Sequence, residues 1–149
     1  MVNWITGTEK PSMIEEGRKW CQPQYTVNVL SETFTDENDM EQWRWLQIVL
    51  PVGRIKYGDI IAGIIRAKYT QDEMEAITNN MAAVNAVFMQ TLVTDGILAA
   101  TKYLKESIDD DNSQKFREMQ EWRAMAKEVA KEVFAKAKEE GRLVDENSL

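Results

Sequence analysis

The stretch RAKYTQDEMEAITNNMAAVNAVF, residues 66–88, decides how the rest of the chain is read. Thr70 followed by Glu73 is a capping box: the hydroxyl accepts from the amide of Glu73, whose carboxylate reaches back to the amide of Thr70. Asp72 and Glu73 put negative charge in the first turn, where the unpaired amides of a helix start attract it. Behind this start Met74, Ile77, Met81, Val84 and Phe88 recur at alternating steps of three and four. That period makes one apolar seam, built to meet another helix. The helix is expected to begin at Gln71 and run past Leu92.

Downstream the pattern stays helical. Asp95-Gly96 is a break or a tolerated weak point, read here as a bend, and 97–108 continues as helix with Leu98, Ala99, Tyr103 and Leu104 apolar. Residues 109–112 read as a turn, with Ser113 as the cap of a last helix. There Met119, Trp122, Ala126, Val129 and Val133 repeat the three-four spacing, and Phe116, Met125 and Phe134 widen the apolar face. Gly141 stands where a helix stop is expected, and the tail to Leu149 is expected to fray.

Upstream the composition changes. Pro11, Pro23 and Pro51 all fall in the first third of the chain, after which proline is absent, as suits a helical region. Residues 2–6 read as a short edge strand, 7–17 as turn and loop, and 25–34 as a strand rich in β-formers. Residues 42–50 form a second strand, with Trp43, Trp45, Gln47 and Val49 on one face and Arg44, Leu46, Ile48 and Leu50 on the other. The two longer strands pair as an antiparallel hairpin, which alone is marginal in water and needs a cover. Tyr57, Ile60, Ile61, Ile64 and Ile65 mark one face of a short helix ending near Lys68. The expected fold is therefore α+β: a small N-terminal antiparallel β-hairpin lobe over residues 1–53, then a helical region of three to four helices over 54–149.

Composition removes several functions. With no histidine among 149 residues, histidine general bases, Ser-His-Asp triads and histidine-ligated metals are excluded. Cys21 is the single cysteine, so neither an intrachain disulfide nor a multi-cysteine metal site can form. A nucleophilic role for Cys21, which has Arg18 and Lys19 nearby, lacks a base partner. The net charge of −7 disfavours general nucleic-acid binding. No apolar run approaches the roughly 20 residues of a spanning helix. The opening MVNWITGTEKPSM has neither a basic start nor an apolar core, so no signal peptide and no membrane association are expected.

Two motifs imitate chemistry. Asp109, Asp111 and Ser113 resemble the first ligands of a calcium loop, but Gln114 replaces its glycine and Gln120 its closing glutamate. Carboxylate pairs such as Glu15-Glu16 and Asp72-Glu73 lie in polar stretches, whereas acid–base catalysis needs two carboxylates in unlike, partly buried settings. Neither motif supports a metal, a cofactor or a catalytic residue, and no enzyme activity is expected. An enzyme of carboxylates and a metal ranks last.

Candidate partner-binding residues are the tryptophans and the helix seams. Trp43 and Trp45 can stack on sugars or anchor a partner, or pack as core; Trp4 and Trp20, in the loop-rich start, are better placed as partner anchors. Met74, Ile77, Met81, Val84, Phe88, Met119 and Trp122 can close within one chain or between chains, and methionine-rich seams adapt to varied partners.

The segment spanning residues 64–80 is similar to one in small structural proteins of tailed bacteriophages, first among them phages of gut Bacteroidetes, including crAss-like phages. There an I-R-x-K/R-Y-S/T-x-D-E-x-E-A-I run follows a short β-rich lead. The resemblance implies a non-enzymatic virion or assembly component, made in the bacterial host cytoplasm and present in many copies. Such a component would self-associate or dock on a head, neck or tail protein. It assigns no functional residue. The alternative reading is a carbohydrate- or ligand-binding module using Trp43 and Trp45.

Overall fold

Alternation in 42–50 sends Leu46, Ile48 and Leu50 inward, at 1, 7 and 2% exposure, and leaves Gln47 and Val49 outside. A computed structural model of the chain, describing residues 2–108 and 111–146, gives a mixed α+β fold. Four strands come first, β1 (Ile5–Gly7), β2 (Ile14–Lys19), β3 (Gln22–Thr35) and β4 (Glu41–Val49). Four helices follow among the described residues, α1 (Tyr57–Arg66), α2 (Gln71–Asp95), α3 (Ile97–Ile108) and α4 (Asp111–Glu139). The chain divides into two compact units, one of Met1–Lys68 with Arg123–Leu149, the other Tyr69–Trp122. The composition boundary near Gly53 is thus a change of secondary structure, while the first unit continues through α1 and takes in the end of the chain.

In the first unit the expected β3–β4 hairpin is the middle of an antiparallel sheet ordered β1-β4-β3-β2. The reading of 7–17 as loop is corrected: β2 occupies its second half, polar because an edge strand buries little, with only Ile14 inside. A two-residue turn joins β2 to β3, with Trp20 (φ 53) and Cys21 (φ 62) both left-handed between the paired Lys19 and Gln22. This is the mirror-image turn whose twist suits a hairpin. Further along β3 a bulge sets Leu30 (φ 55) and Ser31 opposite Trp45.

Tyr25, Val27, Val29 and Leu46 form the buried face of the sheet with Ile48 and Leu50, and Ile60 and Ile64 of α1 are fully buried. Gly63 lets α1 press onto β4: a Cβ there would lie 2.3 Å from Ile48 Cγ2. Ala126, Ala130, Val133, Phe134 and Ala137 bury the later part of α4. Phe134 meets Tyr57 edge-to-face at 6.5 Å, and the Tyr57 hydroxyl donates to the Lys127 carbonyl at 3.2 Å.

The helix stop at Gly141 is as expected: its φ is 73, and the amides of Gly141 and Arg142 donate to the carbonyls of Lys138 and Ala137, at 3.1 and 2.8 Å. The fraying expected beyond it is corrected over 142–145, and 147–149 lie outside the described residues. Ile55 and Val144 form a parallel bridge, held by Ile55 N–H to the Leu143 carbonyl and Asp145 N–H to the Ile55 carbonyl, each 2.8 Å. The Leu143 amide donates to the Tyr25 hydroxyl at 3.2 Å, and Arg142 pairs with Glu16 at 3.1 Å.

In the second unit Thr70 caps α2 as expected, its Oγ1 accepting from the Glu73 amide at 3.1 Å. Gly96, φ 88, ends α2 outright, and α3 folds back so that Met81 and Val84 share a cavity lining with Leu104 and Ser107. The cap assigned to Ser113 is corrected. α4 already begins at Asp111, so Ser113 lies inside the helix, 7% exposed, its Oγ 4.0 Å from Met81 Sδ. Asp109 and Asp110, half of the expected turn, lie outside the described residues.

Candidate interaction surfaces

The expected tryptophan anchors separate once their neighbours are known. Trp4 is half-buried against the Arg44 guanidinium, whose centre lies 4.8 Å from its ring and 5.9 Å from that of Phe34. Arg44 also ion-pairs with Glu32 across the hairpin, so Trp4 belongs to an intrachain stack. Trp43 carries the Lys10 ammonium 5.7 Å from its ring centre. Trp45 closes on β1, and a Cβ at Gly7 would stand 2.9 Å from its ring. Trp20 alone of these four is open, at 77% exposure. Its left-handed backbone costs a bulky residue about 1–2 kcal/mol, which the turn geometry sustains.

The seam residues also divide. Met119 is 1% exposed and Val84 9%, so at these two positions the seam is buried within the single chain. Met74, Ile77, Met81, Phe88 and Trp122 are half-buried. Met81, Val84, Leu104 and Phe116 line a small cavity of about 110 Å³ between α2, α3 and the start of α4. A second, wider groove of about 370 Å³ runs between Tyr69, Glu73 and Ile77 on one side and Lys115 and Glu118 on the other. Burial of the Tyr69 phenol, then the carboxylates of Glu118 and Glu73, push its pKa up, so it stays neutral. Lys115 pairs with Asp111 at 3.0 Å, the hydrogen bond to that carboxylate raising its pKa. Among the described residues no three acidic or cysteine side chains gather as metal ligands.

The most exposed apolar surface lies where no anchor was expected. Val93, Ile97 and Leu98, where α2 turns into α3, are 82, 71 and 85% exposed, and Val87, Met89 and Leu104 are exposed nearby. The sequence does carry a signal for it: between Glu75 and Asp95 there is no charged side chain, in a chain that is 29% charged. Hydroxyls on this hairpin turn back on their own helices, with Thr91, Thr94 and Thr101 donating to the carbonyls of Val87, Gln90 and Ile97 at 2.8, 2.9 and 2.7 Å. A polar side chain so satisfied asks little of water. The surface can bury itself against apolar groups with few orphaned donors.

No helix of the described residues is long and apolar enough to cross a membrane. Set against known protein families, curated proteins and solved structures, the chain matches none.

Proposed function

We propose that the chain is a non-enzymatic structural or assembly protein of a tailed-phage particle, at a head, neck or tail position. It acts through helix-seam and strand-edge contacts with its own copies and other virion proteins. The observation that carries this reading is the exposed apolar surface at the α2–α3 turn, where α2 carries no charge from residue 76 to residue 94. Val93, Ile97 and Leu98 stand 82, 71 and 85% exposed where α2 turns into α3, more than isolated surface apolar residues of a lone soluble chain need. The resemblance of residues 64–80 to phage structural proteins supplies the context. A protein partner suits the surface better than lipid, because Asp95 sits at the apex and a chain of net charge −7 is repelled by anionic headgroups. The glycan-binding alternative is weakened because both rings are half-buried, with Trp45 against Gly7 of β1 and Lys10 near Trp43.

Purified particles from infected host cells, analysed by quantitative mass spectrometry, test the proposal. The chain should be present in stoichiometric amounts, and Val93→Glu with Leu98→Glu should remove it while leaving its circular dichroism unchanged. Particles that lack the unaltered chain, or retain the charged variant at full occupancy, would refute it.

A further inference from the structure

We propose that two copies of this chain pair along β2, antiparallel about a twofold axis at Gly17, joining their sheets into one. This deepens the multicopy part of the reading above, but it rests on the other compact unit. β2 is an edge strand with residues 15–19 exposed, so among the described residues one row of its backbone groups has no strand beside it. The register with β3 shows which row. Asn28 N–H donates to the Met13 carbonyl at 2.8 Å, and the pairs Glu15↔Thr26, Gly17↔Gln24 and Lys19↔Gln22 keep step with it. By the alternation of an antiparallel ladder, Ile14, Glu16 and Arg18 then point their N–H and C=O away from β3.

The side chains of this edge read Glu15-Glu16-Gly17-Arg18-Lys19, two acids, a glycine and two bases. Laid antiparallel on itself about Gly17, the strand sets Glu15 opposite Lys19 of the second copy, and Glu16, which also pairs with Arg142 of its own chain, opposite Arg18, and the reverse by symmetry. Opposite charges directly across a strand pair attract, and like charges destabilise it. In that same register Glu16 and Arg18, whose backbone groups point outward, become a hydrogen-bonded pair. A slip by one residue sets outward groups against inward ones. A relative shift of two sets Glu16 against Glu16 or Arg18 against Arg18, and in-register parallel stacking sets every charge against its like. Charges on an edge ordinarily guard it from any partner; this order admits the twofold one.

Gly17 fits the axis. Nothing inside the chain demands a glycine there: its φ is outside the left-handed region, and an added Cβ would meet only the Gln24 carbonyl, at an ordinary 3.8 Å. At the axis Gly17 faces its own copy in a narrow, non-hydrogen-bonded pair, with Cα atoms about 4.5 Å apart. Glycine inside a strand marks such close approach of another backbone.

Light-scattering mass at tens of micromolar should give twice 17.2 kDa for the unaltered chain. Glu15→Lys and Lys19→Glu each create like-charge pairs, so each alone should dissociate about tenfold more readily. Their equimolar mixture restores opposite charges at every position and should recover the dimer. Gly17→Cys in a Cys21→Ser background should form an intermolecular disulfide under mild oxidation, its Cα separation being within disulfide reach. Glu15→Cys in that background, about 13 Å from its symmetry mate, should not. A monomeric parent chain, or Glu15→Lys and Lys19→Glu variants as dimeric as the parent, would overturn the inference. A monomer still found in purified particles would sink this pairing and leave the proposed function standing.

Discussion

Replacing Gly63 by alanine tests whether α1 and β4 are in backbone-close contact. In isolation the exchange favours a helix by about 1 kcal/mol. Here the new Cβ would fall 2.3 Å from Ile48 Cγ2, where ordinary contact begins near 3.4 Å, so α1 must lift by about 1 Å or Ile48 must leave its rotamer. Ile48 is β-branched and 7% exposed, so it has little freedom to turn. Overpacking of this kind costs about 1–3 kcal/mol, and the depth of the overlap points to the upper end. The expected net loss is about 2 kcal/mol. Gly58 supplies the control: it lies in the same helix with nothing within 4 Å of an added Cβ, so Gly58→Ala should gain up to about 0.5–1 kcal/mol. Urea unfolding followed by tryptophan fluorescence measures both. Adding Ile48→Ala to Gly63→Ala should cost at least about 1 kcal/mol less than the two single losses together. If Gly63→Ala stabilises the protein as Gly58→Ala does, the close contact is refuted.

Asp36 closes the β3–β4 loop by accepting from the amides of Met40 and Asn38, both at 2.9 Å, and from Gln42 Nε2 at 3.2 Å. Chiefly the Met40 amide, against a partial offset from burial, holds its carboxyl below the ordinary 3.8. Because the folded pKa is depressed, its stabilisation is complete above that ordinary value and disappears as pH falls through the folded one. A titration of the Asp36 carboxyl by NMR with a midpoint at or above 3.8 would contradict the loop geometry. Ending the chain after Gly141 removes the two backbone bonds to Ile55 and the Leu143–Tyr25 bond, and should cost about 3 kcal/mol of urea stability. Arg142→Ala, which loses part-exposed ion pairs to Glu16 and Glu140, should cost under about 1 kcal/mol, and equal losses for the two changes would refute the tail's role.

The elements easiest to read from sequence were those whose signal is local. The Thr70–Glu73 cap, the Ile-rich face of α1 and the Gly141 stop each depend on neighbours within a turn or two, and they stand as expected. β2 was missed because an edge strand buries one side chain of six, leaving IEEGRK with the composition of a loop. The tail was missed for a related reason: Ile55 and Val144 are far apart in sequence, and a single bridge carries no periodicity. Ser113 looked like a cap because the aspartates before it resemble a turn, yet α4 starts two residues earlier. For the surfaces, three-four spacing identified the seams without telling which positions stay open. Met119 and Val84 share the spacing of Met74 and differ only in how closely the neighbouring helices cover them. Absence of charge between Glu75 and Asp95 was the better guide to exposed apolar surface.

The two surfaces differ in chemistry, and that difference separates them experimentally. β2 offers backbone groups and a fixed order of charges, which specify a register but yield modest affinity through exposed pairs. The α2–α3 turn offers mainly apolar area, which yields affinity but little register. In a multicopy component, twofold pairing at β2 saturates itself, since each edge is consumed by its mate. Salt should therefore act on the two surfaces in opposite directions. Raising sodium sulfate from about 0.02 M to 0.5 M shortens the screening length several-fold and weakens the β2 charge pairs. The same salt strengthens apolar burial, because sulfate is excluded from protein surface. Self-association read by light scattering should fall, while retention of the chain on particles should hold or rise. Self-association that strengthens with sulfate, and vanishes in the Val93→Glu, Leu98→Glu variant, would move the contact between copies from β2 to the hairpin.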